Sequence, residues 1–329
     1  MKKIAVVILN WNGAKLLEQF LPSVVAFSEE ATIYVADNAS TDASITVIKE
    51  QFPSVQIIYN DSNYGFAKGY NVALEHVEEE YYALVNSDIE VTKNWLAPIL
   101  SIFETEPEIG IIQPKILDFK NKEYFEYAGA AGGFIDKYGY PYCRGRIFDT
   151  LEKDVQQYDD ECEIFWASGA CLFIRKKLFK SLNGFDADFF AHQEEIDLCW
   201  RAFNLGYRAK YTSKSAVYHV GGATLNEGNP RKTFLNFRNS LLMLVKNIPD
   251  HQLIPILFIR LVLDGVAGIQ FLLKGKWKHF WAILQAHFSF YSLFKNAYKK
   301  RGLIQKDTYY SVKSIVYDYF IQRKTTFEK

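Results

Sequence analysis

The stretch Tyr82-Ala83-Leu84-Val85-Asn86-Ser87-Asp88-Ile89-Glu90 decides how this chain is read. The apolar run over 82–85 predicts a buried strand, which then breaks into an amide, a hydroxyl and a carboxylate. In an open α/β sheet, ligands sit beyond the carboxyl ends of the strands. Asp88 therefore falls where a hard divalent cation and a phosphate meet. Taken alone, an Asx turn leaving a strand is the better account, because turns use Asn, Ser and Asp so often. The elements on either side change that balance.

Upstream, residues 4–9 are a continuous apolar run of strand length, broken by Asn10-Trp11-Asn12-Gly13. Leu16, Leu17, Phe20, Leu21, Val24 and Val25 then recur at helical spacing. Residues 32–36 predict a second strand closed by Asp37-Asn38-Ala39-Ser40-Thr41-Asp42, with Asp42 placed to cap a helix over 43–51. Residues 55–59 predict a third, followed by Asn63-Tyr64-Gly65-Phe66-Ala67-Lys68-Gly69-Tyr70-Asn71 and a helix to residue 77. This alternation predicts an α/β fold with a Rossmann-like, mostly parallel sheet flanked by helices.

Downstream, Thr92 or Asn94 is placed to cap a helix carrying Leu96, Ile99, Leu100 and Phe103, and residues 109–113 predict a strand. Residues 115–163, rich in Gly, Tyr and charge, read as hairpins and a mobile loop. Residues 166–174 predict another strand, and Gly206 sits at a helix C′ position. Residues 207–211 and 216–220 read as two short strands around a polar turn. Past Pro230 the pattern is helical. The expected division is a domain over 1–230, with halves 1–115 and 116–230, and a helical extension over 231–329.

At 329 residues the chain can bury a full core and carry an appendage. With 49% hydrophobic and 23% charged residues it is globular, which excludes wholesale disorder. The formal charge of +0 hides an asymmetry. From Lys274 onward there are 12 Lys+Arg against 3 Asp+Glu, leaving 26 against 35 upstream. A basic, aromatic-rich tail suits an anionic membrane surface or another polyanion, and equally a solvated helical face. Nucleic acid is not an expected partner. Cys143, Cys162, Cys171 and Cys199 show no C-x-x-C spacing, and Met1-Lys2-Lys3-Ile4 runs into a strand rather than a secretory leader. A reduced, cytoplasmic setting is expected.

Several groups carry chemistry. A carboxylate only accepts hydrogen bonds, so Asp37 matches the imide N3–H of uracil or thymine and disfavours cytosine. An Asx turn made by Asp37 and Asn38 explains the same residues equally well. The run Asn63-x-Gly65-x-x-x-Gly69-x-Asn71 sets two glycines and two amides at a strand-to-helix junction. There glycine admits a close ligand and the helix N-terminus favours phosphate. It is neither a dinucleotide fingerprint nor a P-loop.

Glu194-Glu195-Ile196-Asp197 crowds three carboxylates into the first turn of a helix. The helix dipole alone accounts for them, but the preceding Phe189-Phe190 makes this start apolar. Desolvation then raises a carboxylate toward neutrality, as a general base requires. Asp197 and Arg201 are spaced to pair along the helix. His219 ends a strand before Gly221-Gly222. A lone His there is more often structural, yet with Asp88 it completes a Mg²⁺ or Mn²⁺ site, Mn²⁺ tolerating nitrogen better. Trp166-Ala167-Ser168-Gly169 supplies a stacking ring and an open strand end, although a buried Trp is the commoner outcome.

In order, Asn10-Trp11-Asn12, Val35-Ala36-Asp37-Asn38-Ala39-Ser40-Thr41-Asp42, Asn63-x-Gly65-Phe66-Ala67-x-Gly69-x-Asn71, Asn86-Ser87-Asp88 and Glu194-Glu195-Ile196-Asp197-Leu198-Cys199-x-Arg201 resemble family 2 nucleotide-sugar glycosyltransferases. Within that family the chain resembles the rhamnosyltransferase-like branch, over residues 4–245. The resemblance implies a GT-A fold and metal-dependent, inverting hexosyl transfer. The donor would be a UDP- or dTDP-sugar, with rhamnose a candidate, and the acceptor a saccharide or lipid-linked sugar in cell-surface polysaccharide synthesis. By position it implies that Asp37 reads the base, with Asn10, Asn38, Asn63, Gly65 and Asn71 around the nucleoside and Asn86 and Ser87 beside Asp88. Asp88 would bind the Mg²⁺ or Mn²⁺ that bridges the diphosphate, with His219 a further ligand. Glu195 would deprotonate the acceptor hydroxyl, supported by Glu194 and Asp197. Trp166, Ser168, Gly169 and Arg201 would line the acceptor side. Two departures stand out. Asn86-Ser87-Asp88 has one carboxylate fewer than the family's Asp-x-Asp, which weakens the expected metal affinity. Glu195 stands where many relatives have Asp, so the base reaches one methylene further.

Residues 253–273 are apolar enough to consider a membrane span, but Pro255, Arg260 and Asp264 interrupt them. Charges in mid-span are costly, so a packed or interfacial helix is expected. Lys274, Lys276 and Lys278 beside Trp277 and Trp281 suit an interfacial anchor, which implies peripheral attachment to the cytoplasmic leaflet. Two rivals remain. A catalytically silent sugar-nucleotide-binding protein follows from the missing first Asp. A nucleotidyltransferase needs a Gly-rich, basic N-terminal loop, which Asn10-Trp11-Asn12-Gly13 does not supply.

Overall fold

Residues 4–10 become the central strand because both of their faces find a core. In the computed structural model, which describes residues 2–221 and 228–328, β1 (Ile4–Asn10) sends Ala5 and Val7 into one hydrophobic cluster and Ile4, Val6 and Ile8 into another. This is the period-two alternation of a strand covered on both sides. After it come α1 (Ala14–Ala26), β2 (Ala31–Asp37), α2 (Ser44–Gln51), β3 (Gln56–Tyr59), α3 (Gly65–Ala73) and β4 (Tyr81–Asn86). Strands β3, β2, β1 and β4 pair in parallel in that order. The Asp42 carboxylate accepts from Ser44 N–H and from Ala14 N–H, each at 3.0 Å, and so ties the starts of α1 and α2 together.

Beyond β4 the chain adds β5 (Ile89–Val91), α4 (Ala97–Thr105), β6 (Ile109–Asp118), β7 (Gly133–Ile135), β8 (Pro141–Cys143), β9 (Arg146–Ile147), β10 (Thr150–Leu151), β11 (Glu161–Ile164), β12 (Cys171–Arg175), α5 (Lys176–Ser181), α6 (Glu194–Asn204) and β13 (Arg208–His219). Among the described residues the main sheet has nine strands, ordered β11-β13-β6-β12-β4-β1-β2-β3 with β5 on β13. Strand β12 runs antiparallel to both β4 and β6, so the purely parallel half ends there.

Four local expectations change. Neither Thr92 nor Asn94 caps α4: Thr92 Oγ1 donates to Ala216 O at 2.7 Å, and Asn94 turns left-handed at φ 59°. Residues 115–163 are ordered rather than a mobile loop. Strand β6 continues to Asp118, strands β7 to β10 form a second sheet, and the ion pairs Lys115–Asp154 and Arg144–Asp160, at 2.9 and 2.7 Å, tie the segment together. Of the strand expected over 166–174 only 171–174 is strand, running on to Arg175, because Trp166 bridges to Gly133 instead. The two short strands near 207–220 are one strand, β13, with a bulge between Thr212 and Ala216 where Ser215 donates to Trp95 O. Gly206 takes φ 95° and closes α6 as expected, with its N–H on Phe203 O and Tyr207 N–H on Ala202 O.

The C-terminal helices are α7 (Pro230–Asn247), α8 (Asp250–Leu273), α9 (Trp277–Lys299) and α10 (Ile315–Phe320). Helix α8 is long and apolar enough to cross a membrane by length and composition. The two charges in its apolar stretch, Arg260 and Asp264, point inward. Arg260 donates to Tyr138 O at 2.8 Å and to Ser240 Oγ at 2.9 Å, and Asp264 sits 3.2 Å from His287 Nε2.

Candidate active site

The carboxyl ends of β1, β2 and β4 lie side by side, with Asn10 opposite Asp37 and Leu9 opposite Asn86. Asn10 is buried, and its amide donates to Asp37 Oδ1 and Ser40 Oγ at 3.1 Å each. Asp37 Oδ2 accepts Ser40 N–H at 2.9 Å. The Asx turn is therefore present, and it orients the carboxylate rather than consuming it, since a carboxylate has about four acceptor positions. Asn10 Oδ1 is buried with no partner among the described residues.

Asn38, Asn63, Gly65 and Asn71 serve the scaffold. Asn38 bridges Gly65 O at 3.0 Å and Asn60 Nδ2 at 2.7 Å, and the exposed Asn63 accepts Gly65 N–H at 3.0 Å. Gly65 has φ 71°, and a Cβ there would lie 2.8 Å from the Phe190 ring. Its close neighbour is thus another loop. Phe190 O also accepts Phe66 N–H and Ala67 N–H, at 3.1 and 3.4 Å, so the start of α3 is capped by protein rather than left open for phosphate. The structure does not bring Asn71 into the group, because both ends of its amide hold the Phe185 backbone, at 2.7 and 2.9 Å.

The polar end of β4 meets the end of β13. His219 Nε2 lies 3.2 Å from Asp88 Oδ1 and 3.5 Å from Asn86 Nδ2, and its Nδ1 lies 3.2 Å from Glu126 Oε1. All of these except Asn86 are buried. Burial pushes the His219 pKa down, but Glu126 and Asp88 outweigh it and raise it to about 10. Burial raises Asp88, yet the hydrogen bond and charge of His219 and backbone N–H groups hold it below the usual carboxylate range. Ser87 flanks this cluster, with its hydroxyl beside Gly13. Gly222, which follows His219 closely in sequence, lies outside the described residues. Among the described residues no three His, Cys, Asp or Glu side chains converge as a metal cage. Once His219 gives up its Nε2 proton the pair fits a cation, because ligands at about 2.1 Å on adjacent coordination positions stand about 3 Å apart. A carboxylate behind the imidazole is also the usual outer partner of a metal-bound His. Glu126 was not legible in sequence, since it lies in the segment that carries no motif.

On the other side, Asn86 N–H donates to Ala170 O at 2.9 Å. One residue back, a methyl group at Gly169 would sit 3.8 Å from the Glu195 carboxyl carbon and 3.3 Å from Cζ of Phe66. Residues 169–170 thus lie between Asn86, which belongs to the His219 cluster, and Glu195. Ser168 is buried, with its N–H on Gln113 Oε1 at 2.8 Å. Trp166 offers no stacking face: it is buried, covers Gly133 and donates to Phe134 O at 2.8 Å. Arg201 turns into the fold, onto Asp197 Oδ2, Leu182 O and Gly184 O at 2.8, 2.7 and 3.0 Å.

Glu195 opens α6 after a contorted loop in which Phe190, His192 and Gln193 take φ of 63, 69 and 73°. Non-glycine residues rarely adopt this region, so something must hold them. Asn239, buried on α7, directs its amide at Phe189 O, Ala191 O and His192 O at 2.9, 2.9 and 2.8 Å. Arg238 adds Asp188 O and Phe189 O at 2.9 and 3.1 Å. Burial pushes Glu195 up to about 7 against its backbone N–H contacts. Glu194 is pushed well up by burial and by the neighbouring Glu195 charge. Asp197 behaves oppositely. Burial raises it, but Lys246 and Arg201 hold it below the usual range, and Lys246 Nζ sits 2.7 Å from both Asp197 and Asp186. Its carboxylate braces the helix. Asn239, Arg238 and Lys246 lie beyond the motifs that the sequence signals.

The sequence model of Glycosyl transferase family 2 matches residues 5–182. The chain is 23% identical over 232 residues to the N-acetylglucosaminyl-diphospho-decaprenol L-rhamnosyltransferase of Mycobacterium tuberculosis, covering 66% of this chain and 75% of that protein. It is 22% identical over 223 residues to rhamnosyltransferase WbbL of Escherichia coli K12, covering 66% and 83%. Among solved structures, S. aureus TarS 1-349 in complex with UDP-GlcNAc aligns with TM-score 0.60 at 17% identity, covering 91% of this chain and 84% of that one. GalNAc-T7 with UDP, GalNAc and Mn²⁺ aligns with TM-score 0.60 at 15% identity over 77% of this chain, which spans 49% of that chain's length. These structural likenesses bear on the fold, which is GT-A. A family match across more than half of the residues, on that fold, places the chain in glycosyltransferase family 2, with rhamnosyltransferases among its relatives.

Proposed function

We propose that this protein transfers a sugar with inversion from a UDP- or dTDP-sugar to a lipid-linked saccharide. The observation that carries the proposal is the placement of Glu195, raised to about 7, across residues 169–170 from the Asp88–His219 pair. Glu195 takes the proton of the acceptor hydroxyl as that oxygen attacks the anomeric carbon, and the nucleoside diphosphate departs on the opposite face. Asp88 and His219 would hold a Mg²⁺ or Mn²⁺, oriented by Glu126, and the ion would offset the charge of the leaving diphosphate. Asp37, pre-oriented by Asn10 and Ser40, accepts the imide N–H of the base. Rhamnose is the first donor sugar to test, because two relatives are named rhamnosyltransferases. A carboxylate raised to about 7 at Glu195 weighs against a silent sugar-nucleotide binder.

Attachment to a membrane belongs to the same proposal. With Arg260 and Asp264 turned inward, the outer face of α8 presents Ile254, Phe258, Val262, Val266 and Ile269, all more than half exposed. Lys274, Lys276 and Lys278 follow it beside exposed Trp277 and Trp281. A helix packed on protein by one face and apolar on the other lies in the interface rather than across it.

The test is a screen of UDP-, dTDP- and GDP-sugars with Mg²⁺ or Mn²⁺, reading nucleoside diphosphate release and the anomeric configuration of the product. Release from a uridine or thymidine donor with an inverted product is expected. Selective turnover of a GDP-sugar would overturn the role of Asp37, and a retained configuration would overturn that of Glu195.

A further inference from the structure

The catalytic loop, α7 and α9 enclose an open cleft of about 550 Å³ that none of the assigned residues explains. Its lining includes Arg231, Arg238 and Lys278 with Phe190 and Phe234, and among the described lining residues there is no Asp or Glu. Arg231 lies over the Phe190 ring, 5.5 Å from its centroid, so one cation touches the loop that leads into Glu195. Arg238 is anchored through its carbonyl contacts and lies 5.3 Å from the centroid of Phe234. Burial holds Arg238 below its ordinary pKa; the Asp188 charge opposes this and the Arg231 charge adds to it. The N-terminus of the 18-residue α7 opens at the same place, after the Asn229 cap. At the far end, Lys278 sits between Trp277 and Trp281, which begin the exposed apolar surface.

Arg231 and Lys278, with no carboxylate partner among the described residues, stand with Arg238 and aromatic walls between the loop before Glu195 and the exposed apolar surface, and match one kind of ligand: a phosphate-bearing head group on an apolar tail. We propose that this cleft seats the diphosphate of an isoprenoid-linked acceptor, its lipid leaving along α9 and its sugar directed toward Glu195. The proposal rests on the lipid-linked acceptor reading above and deepens it.

Farnesyl diphosphate and farnesol in neutral detergent micelles, followed by calorimetry on the full chain saturated with UDP, provide the test. Farnesyl diphosphate should bind at least about tenfold more tightly than farnesol. The doubly substituted R231Q/K278Q should lose that preference, and R231K/K278R should keep most of it. Both positions are exposed, so unchanged circular dichroism and Tm are expected. The cleft assignment falls if R231Q/K278Q retains the preference. It falls equally if D88N abolishes it, which would put the ligand in the donor site. Lost affinity for phosphatidylglycerol vesicles with unchanged farnesyl diphosphate binding would also overturn it, by assigning these cations to the leaflet. Because the readout is binding, failure of sugar transfer would count against the enzymatic proposal and leave this result intact.

Discussion

Glu195 owes its basicity to burial, whereas Asp88 and Asp197 are held acidic by cations. The pKa values of neighbouring carboxylates are thus pushed apart, the pattern that assigns acid and base roles. Glu195→Gln should lower transfer by about 10²–10⁴-fold, the usual contribution of a positioned general base. The folded-state pKa of Glu195 lies above its ordinary value. The folded protein therefore holds a proton that the unfolded chain releases, and this group's contribution to stability falls as pH rises toward about 7. At pH 8 the variant should accordingly show a Tm no lower than the parent, which separates lost chemistry from lost folding. The acid limb of kcat/KM in the parent should be half-maximal near pH 7 and level off above it, and it should disappear in whatever activity the variant retains. Glu126→Gln should weaken Mn²⁺ binding about 10–100-fold by calorimetry, as loss of an outer-sphere carboxylate does. Unchanged Mn²⁺ affinity would make Glu126 a purely structural partner of His219.

Helix α7 is the element that holds the catalytic loop in its unfavourable backbone conformation. Asn239→Asp would turn an acceptor-only group toward three carbonyls that now accept from it. The expected result is a kcat reduced by up to about 10²-fold, since small displacements of a catalytic group are that costly, with the donor KM little changed. A rise in donor KM with kcat intact would place the loop's role on the nucleotide side. Lys246→Met would leave Asp186, now held down to about 2, and Asp197 without their shared cation. Unfolding should become easier by less than the about 3–5 kcal/mol of a fully broken buried pair, measured by denaturant titration, because Lys300 and Arg201 still face the two carboxylates.

At the scale of the whole molecule, the C-terminal helices differ sharply between their opposite faces. Their inner faces carry Asn239, Lys246 and Arg260, while the outer face of α8 and the start of α9 are apolar and basic. The parent protein should float with phosphatidylglycerol vesicles at low salt and partly dissociate at 0.5 M salt, where the Debye length falls to about 4 Å. Phe258→Glu combined with Ile269→Glu, both on the exposed face, should stay in solution with an unchanged fold. Flotation of that variant equal to the parent would move the contact elsewhere.

The parallel half of the sheet was legible in the chain itself, because each strand from β1 to β4 is a local apolar run ended by a polar turn. The same holds for Asp37, Asp88 and Glu195, which stand at strand or helix ends that periodicity locates. Periodicity also marked α8 as apolar but left Arg260 and Asp264 unexplained. The remaining features depend on contacts between distant positions. Glu126 meets His219 only after β6 and β13 pair, and Asn239 reaches Phe189 from 50 residues away. Only the packed structure turns Arg260 and Asp264 inward, buries Trp166 and places the Phe190 carbonyl at the start of α3. Residue types and spacing determined which chemistry the chain carries. Tertiary structure decided which groups are free to perform it, because burial and hydrogen-bond partners come from packing rather than from local sequence.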